Sequence, residues 1–347
     1  MQGIGTVGPA EIAAIARDTF GAEARVESAE EITAIVHDGV IRRAGPSRNP
    51  SYVVRVAGVP DPLVFRFHGG VWEDRYDHEA RCYEVLARHT GVRVPRIHRI
   101  DRSERIVPTA YMVLDYLRGE PWRYLTHPRN TRVTEAEKAE IGIRTGEFYA
   151  RVHGITRPVA PGENEASRVR YMFERLQGAV LDGHFPVAPE KVERCLRAVD
   201  REPRFRNRVA SLCLADTEIF FHREGGAWEI AFVCDTEWME YRDPYSDLAL
   251  VLAGSAELWE LDEPLAPDPA ELAVRPFFRG YEGLREVDPA ELVHLTAYYQ
   301  LGLWGNLLHV GPPEKREWIR AAKGELVREL VDRVGRRAER PAASTAR

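Results

Sequence analysis

The sequence predicts an α+β protein with an N-terminal antiparallel sheet lobe over residues 1–117, a larger and mainly helical lobe over 118–340, and a short tail at 341–347. Three observations carry this. β-branched and aromatic runs are concentrated before residue 117, separated by stretches rich in Gly, Pro and Asn. After residue 119 the texture changes to long segments with apolar residues at helical spacing. The chain is 347 residues long and 44% apolar, enough to bury a sizeable core in one large domain or in two to three ordinary ones.

The elements follow in order. Ile12, Ile15, Ala16 and Phe20 share one face of a helix at 9–20. Ile32, Ala34 and Val36 alternate as in a strand, and 39–49 is a turn-rich stretch. Runs at 52–56 and 63–67 are strands joined by the Gly58–Pro62 turn. Residues 72–89 form a helix with Tyr76, Ala80, Tyr83, Leu86 and Ala87 on one side, and strands follow at 94–100 and 110–115. In the second part, 134–153 is a helix opened by a capping box of Thr134 and Glu137. Further helices are expected at 167–181, 189–199, 248–261, 289–310 and 314–337, with short strands at 211–214 and 228–233.

Composition narrows the function classes. The net charge is −6, which argues against a nucleic-acid partner. No apolar run is long enough to span a membrane, and residues 1–8 lack the charged and apolar regions of a secretory signal, so a cytoplasmic location is expected. The four cysteines are scattered and read as reduced core thiols, and no His pair has zinc spacing. Of the 48 basic residues 44 are Arg, and the first of the four lysines is Lys138. Any chemistry that needs a cation in the N-terminal part must therefore use arginine.

The chemistry is concentrated in residues 211–252, which read as strand, acidic loop, strand, acidic loop, helix. Asp216 and Asp235 each follow an apolar strand, and a hairpin turning at Gly225-Gly226 is expected to bring the two strand ends to one edge. Two carboxylates so placed suit phosphoryl transfer, one orienting the attacking hydroxyl and the other holding Mg²⁺ on the phosphates.

The segment Cys234-Asp235-Thr236-Glu237-Trp238, continuing through Asp243-Pro244-Tyr245-Ser246-Asp247-Leu248-Ala249, resembles the I-D-W-E … G-D-P … D-L-A pattern of the aminoglycoside phosphotransferase family, which shares the protein-kinase-like fold of the choline kinases. Leu63-Val64-Phe65-Arg66 resembles that family's third strand, Glu79 its helix-C glutamate, 111–119 its hinge, and 146–153 its helix ending in Leu-His. The resemblance spans roughly residues 20–310 in the correct order.

The resemblance implies a two-lobed kinase-like fold, ATP or GTP with Mg²⁺ as cofactors, and a role for each matching residue. Arg66 would neutralise the α- and β-phosphates and pair with Glu79. The Asp115 carbonyl and the Leu117 N–H would hold the base. The turn at 45–51, with the Ser47 hydroxyl, either covers the phosphates or is a plain hairpin loop. Asp216 would be the catalytic residue and Asp235 the metal ligand.

The pattern is broken in one place. The family loop reads H-G-D-x-x-x-x-N, whereas here Leu214 holds the His position and, counting five from Asp216, Phe221 holds the Asn position. Phenylalanine cannot ligate a metal ion. Two functions are therefore open: an ATP-dependent phosphotransferase acting on a hydroxyl of a small molecule, an antibiotic or a biosynthetic intermediate, or a catalytically degenerate relative that binds a nucleotide, peptide or small molecule. Residues 243–274 hold eight acids and no Lys or Arg. That stretch is either a wall for a cationic small-molecule or peptide acceptor, or a solvated helix face and loop.

Overall fold

Alternation of apolar and polar side chains before residue 117 resolves into one five-stranded antiparallel sheet. The computed structural model describes residues 7–32, 50–67, 75–128, 130–160, 164–215, 217–252, 275–311 and 313–336. Its strands are β1 (Val26–Glu31), β2 (Ser51–Val56), β3 (Leu63–Phe67), β4 (Ile97–Asp101), β5 (Tyr111–Asp115), β6 (Glu120–Pro121), β7 (Thr156–Pro158), β8 (Val209–Cys213), β9 (Glu218–Glu224), β10 (Ala227–Cys234) and β11 (Glu240–Arg242). Its helices are α1 (Pro9–Phe20), α2 (Arg75–Thr90), α3 (Trp122–Leu125), α4 (Glu135–His153), α5 (Glu165–Leu181), α6 (Pro189–Arg201), α7 (Tyr245–Leu252), α8 (Pro276–Glu282), α9 (Pro289–Val310) and α10 (Pro313–Gly335). None of the described helices is long and apolar enough to cross a membrane.

The chain divides into two compact units, Met1–Phe148 with Asp216–Met239, and Tyr149–Ala215 with Glu240–Arg347. Position 117, where the composition changes, lies inside the first unit, because the residues just after it pair in a sheet with the 218–234 hairpin.

In the first unit the main sheet has the order β1-β2-β3-β5-β4. The period of two in β5 sends Tyr111 and Val113 to one face and Met112 and Leu114 to the other. On the first face Tyr52, Val54, Phe65 and Phe67 pack with Ile12, Ile15 and Ala16 of α1; on the second, Met112 and Leu114 pack with Tyr76 and Tyr83 of α2. Both faces are thus buried, which fixes the register of β3 and with it the position of Arg66. A second sheet in this unit has the order β10-β9-β6. Helix α4 opens with the expected capping box, in which the Glu137 N–H donates to Thr134 Oγ1 at 3.3 Å and the Thr134 N–H donates to Glu137 Oε2 at 2.9 Å.

The hairpin differs from the expected one. Gly225 and Gly226 do form its turn, both at positive φ, but the strand before the turn is β9 and not the 211–214 strand. Residues 218–224 alternate, with Ile219 and Phe221 buried and their neighbours partly exposed, and this makes them a strand in their own right. Strand β8 lies instead in the second unit, in a sheet of order β11-β8-β7. The rest of the second unit is helical. Helix α9 is buried along most of its length, with Tyr298 stacked on Phe173 of α5 at 6.2 Å, and it is capped at its start by the Asp288 carboxylate.

The fold is therefore α+β, with an antiparallel sheet lobe followed by a mainly helical part.

Candidate active site

Arg66 occupies the fourth position of β3, on the face opposite Phe65 and Phe67. Its guanidinium works as a two-ended fork. Nη1 donates to Glu79 Oε1 at 3.1 Å and to Oε2 at 3.2 Å. Nη2 donates to Asp235 Oδ1 at 2.8 Å and to Glu237 Oε2 at 3.0 Å. Only a planar five-donor group bridges three carboxylates this way; a lysine ammonium in the same place is a single point charge. Burial alone would make Arg66 easier to deprotonate, but Asp235, Glu79 and Glu237 outweigh it and hold its proton still more firmly than usual. Glu79 is fully buried; burial and the neighbouring Asp235 push its carboxyl up, against the pull of Arg66 and Tyr83.

Helix α2 straps the segment after β10 with a single face. Arg75, His78, Glu79 and Tyr83 recur at the three- and four-residue spacing of neighbours on a helix surface. The Tyr83 hydroxyl donates to Glu79 Oε1 at 2.6 Å and accepts the Asp235 N–H at 3.2 Å. Thr236 Oγ1 donates to the Glu79 carbonyl at 3.3 Å, and Arg75 donates to the Glu237 carbonyl at 3.0 Å while lying 4.4 Å over the Trp238 ring. His78 Nε2 lies 2.6 Å from the Met239 carbonyl. These contacts hold Asp235 at φ 59°, a left-handed conformation that a non-glycine residue adopts only when its surroundings require it.

The exposure of the four ionised side chains differs in a useful way. Arg66, Glu79 and Glu237 are 13%, 0% and 10% exposed, but Asp235 is 43% exposed. Three carboxylates face one guanidinium, so the cluster carries surplus negative charge with its open side at Asp235. A hard divalent cation with a preference for carboxylate oxygen fits such a donor set.

The expected residues are thus brought together in part. Arg66, Glu79 and Asp235 form one cluster, while Ser47 and Asp216 lie outside the described residues. At the expected hinge, the Asp115 N–H donates to the Arg96 carbonyl at 3.0 Å, and its carboxylate lies 2.7 Å from His98 Nε2. Leu117 follows two residues after the Asp115 end of β5. Two members of the cluster were not anticipated. Tyr83 reads in the sequence as one more apolar residue on the helix face, and Glu237 as part of the motif around Asp235; the spacing from Glu79 to Tyr83 is the only signal for the first.

Phe221 does not occupy the site. It lies in the middle of β9, is 0% exposed, and shares its face with Ile219. Only Thr217 separates Asp216 from the strand, so the position five residues after Asp216 falls inside β9 and in the core. An asparagine at 221 should therefore restore nothing. A Phe221→Asn variant should lose about 3–5 kcal/mol of stability through the cavity and the buried amide, with unchanged metal affinity, as read by thermal unfolding and by metal titration.

In the second unit a separate network holds the chain just before Asp216. Asp247 on α7 is buried; its Oδ2 accepts the Leu214 N–H at 2.5 Å and its Oδ1 accepts the Ala215 N–H at 3.0 Å. His153, at the end of α4, places Nε2 3.0 Å from Asp247 Oδ2 and Nδ1 2.8 Å from the Tyr281 hydroxyl. Ala215 is held at φ 51°. The buried Leu214, standing where the family has His, contributes its backbone N–H and no polar side chain. Asp243 is also buried, accepting from Arg204 Nε at 2.9 Å and from the Tyr245 N–H at 2.9 Å. Two of the eight acids counted in 243–274 are therefore structural and buried; the six from Glu257 to Glu271 lie outside the described residues. Cys213 comes close to His153 and Asp247; all three are buried, and burial pushes the Cys213 thiol well up.

The model of a phosphotransferase enzyme family matches residues 40–289, well over half of the chain. No curated protein sequence matches it. Among solved structures, a candidate aminoglycoside phosphotransferase of Ralstonia eutropha superposes with a TM-score of 0.59 at 13% identity, over 95% of this chain and 97% of that one. APH(2")-IIia, in complex with GDP and kanamycin, gives 0.56 at 15% identity, over 94% and 98%. The Plasmodium vivax ethanolamine kinase gives 0.52 at 11% identity, over 89% and 84%.

Proposed function

The chain belongs to the phosphotransferase enzyme family, and from that premise we propose that it transfers the terminal phosphoryl group of ATP or GTP to a hydroxyl of a small molecule. The observation that carries the proposal is the Arg66 fork, which joins the β3 cation, the α2 glutamate and the Asp235 carboxylate within hydrogen-bond distance. A protein kept only for its fold has no need of a buried cation beside a half-exposed carboxylate.

Each residue then has a task. Arg66 neutralises the α- and β-phosphates, and Glu79 keeps its guanidinium oriented, so no reorganisation is needed when the nucleotide arrives. Asp235, the exposed carboxylate of the cluster, holds Mg²⁺. When bound, that ion supplies charge neutralisation to the phosphates. Asp216 orients the acceptor hydroxyl and accepts its proton. The acceptor oxygen forms the new bond to the γ-phosphorus as the bridging bond to the β-phosphate breaks and the nucleoside diphosphate leaves. Asp247 and His153 fix the backbone leading into Asp216.

For the acceptor we propose a small molecule that carries both a hydroxyl and an amine. Kanamycin, bound in one structural neighbour, and ethanolamine, named in another, both combine these groups. Residues 257–271 bring six acids and no basic residue, which suits a cationic acceptor or a basic peptide carrying a hydroxyl. The reading of a nucleotide-binding relative without transfer rests on Phe221 at the family's Asn position.

The test is direct. The protein is incubated with ATP or GTP, Mg²⁺ and a panel of amino alcohols and aminocyclitols, and phosphorus NMR follows the products. A new phosphomonoester resonance is the expected result. Absence of transfer, of nucleotide hydrolysis and of Mg²⁺-dependent binding together would overturn it.

A further inference from the structure

Strand β6 pairs with β9 through two residues, Glu120 with Phe221 and Pro121 with Phe220. Carried further back along the chain, that register would set Gly119 opposite His222 and Arg118 opposite Arg223, but the pairing stops at Glu120. The two segments part there and line a cavity of about 430 Å³, within the range of sites that hold small organic ligands. The parting starts at a glycine because the space is tight. A Cβ on Gly119 would come 2.9 Å from the Phe220 Cβ and 3.1 Å from the Phe221 carbonyl oxygen. Val133, just ahead of α4, and Trp228, the cross-strand partner of Arg223, complete the wall.

Three guanidiniums line this cavity, and two of them already have carboxylate partners. Arg132 donates to Glu120 Oε2 at 2.5 Å, and Arg223 is paired with Glu137 Oε1. Glu137 is engaged from two more sides, accepting from the Trp228 indole N–H at 3.3 Å and from the Thr134 N–H at 2.9 Å. Both carboxylates are thus spent. Arg118 is exposed and has no hydrogen bond or ion pair with any described residue. The cavity therefore holds one positive charge that nothing described offsets, beside an indole ring. A guanidinium presents a planar fork of donors that matches a phosphate or a carboxylate. Arg132 and Arg223, at 44% and 57% exposure, remain open to water on the same rim.

We propose that this cavity binds an anionic small molecule with a flat apolar body, its phosphate or carboxylate held by Arg118 and its body lying along the wall at Val133 and Trp228. The inference is independent of the phosphotransferase reading, because none of the residues given a task there lines the cavity.

Phenyl phosphate and benzoate are titrated into the intact protein carrying isotope-labelled tryptophan. Proton–nitrogen NMR follows the Trp228 indole N–H, identified by its loss in Trp228→Phe. At least one of the two anions should move that resonance saturably, and the one that binds more tightly identifies the anionic group. Inorganic phosphate, which lacks the flat body, should bind more weakly. Arg118→Gln breaks no described contact and should leave thermal unfolding unchanged, but it should raise the half-saturating concentration by about tenfold or more. Arg55→Gln, at an exposed position of β2 in the same unit, should leave that concentration unchanged. The proposal is overturned if neither anion moves the Trp228 resonance saturably, if Arg118→Gln titrates like the unmodified protein, or if Arg55→Gln shifts as far as Arg118→Gln. Displacement of the bound anion by AMP-PNP or GMP-PNP would overturn it too, since the cavity would then be part of the nucleotide site.

Discussion

An Arg66→Ala variant is expected to lose both stability and nucleotide binding. Three carboxylates converge on this guanidinium, and two of them, Glu79 and Glu237, are almost fully buried. Removing one partner of a buried ion pair costs about 3–5 kcal/mol, because the remaining charge keeps its desolvation penalty. The loss of a charge-assisted contact to phosphate, worth about 1.5–3 kcal/mol, should weaken nucleotide affinity by roughly 10- to 100-fold. Arg66→Lys separates the two effects. An ammonium restores the charge but cannot bridge Glu79 and the Asp235–Glu237 pair with a rigid fork, so it should recover most of the affinity and only part of the stability. Thermal unfolding and nucleotide titration read the two quantities independently. Unchanged nucleotide affinity in a folded Arg66→Ala protein would remove Arg66 from the phosphate site.

The second large effect is expected at Asp216. Replacing it with alanine should cut phosphoryl transfer by about 10²- to 10⁴-fold, the usual contribution of a positioned proton acceptor. Nucleotide affinity should hardly change, since the carboxylate acts on the acceptor hydroxyl as the new bond forms and not on the ground-state nucleotide. Asp235→Ala should behave differently and lose turnover together with metal-dependent binding. Single-turnover rates beside equilibrium titrations distinguish the two patterns. An Asp216→Ala protein with wild-type turnover would exclude this residue from catalysis.

The parts of the site that could be read from sequence are those set by local pattern. Arg66 falls at the end of an alternating run, Glu79 in an amphipathic helix, and Asp235 directly after an apolar strand, so each is placed by the element that carries it. What could not be read depends on contacts across long separations or on loop length. Tyr83 joins Glu79 to the Asp235 N–H, a link spanning 152 positions, and in sequence it is one of several aromatic residues on a helix face. Asp243 and Asp247 look like members of an acidic surface stretch, yet both are buried and spent on backbone N–H groups and Arg204. The burial of Phe221 has a simpler source: counting positions along the chain takes no account of the alternation of Ile219 and Phe221, which makes this stretch a strand.

The guanidinium on β3 also decides how this protein can be detected in a mixture. Nucleotide probes with an acyl-phosphate warhead report a binding site by acylating a nearby lysine amine. Here no lysine precedes Lys138, and that amine is occupied by Glu135 and by the Pro128 carbonyl. A guanidinium whose proton is held by three carboxylates is no nucleophile toward such a warhead. In the nucleotide site proposed above, a lysine-directed probe would find no amine at the β3 position, whereas retention on an immobilised nucleotide would register the chain whatever cation it uses.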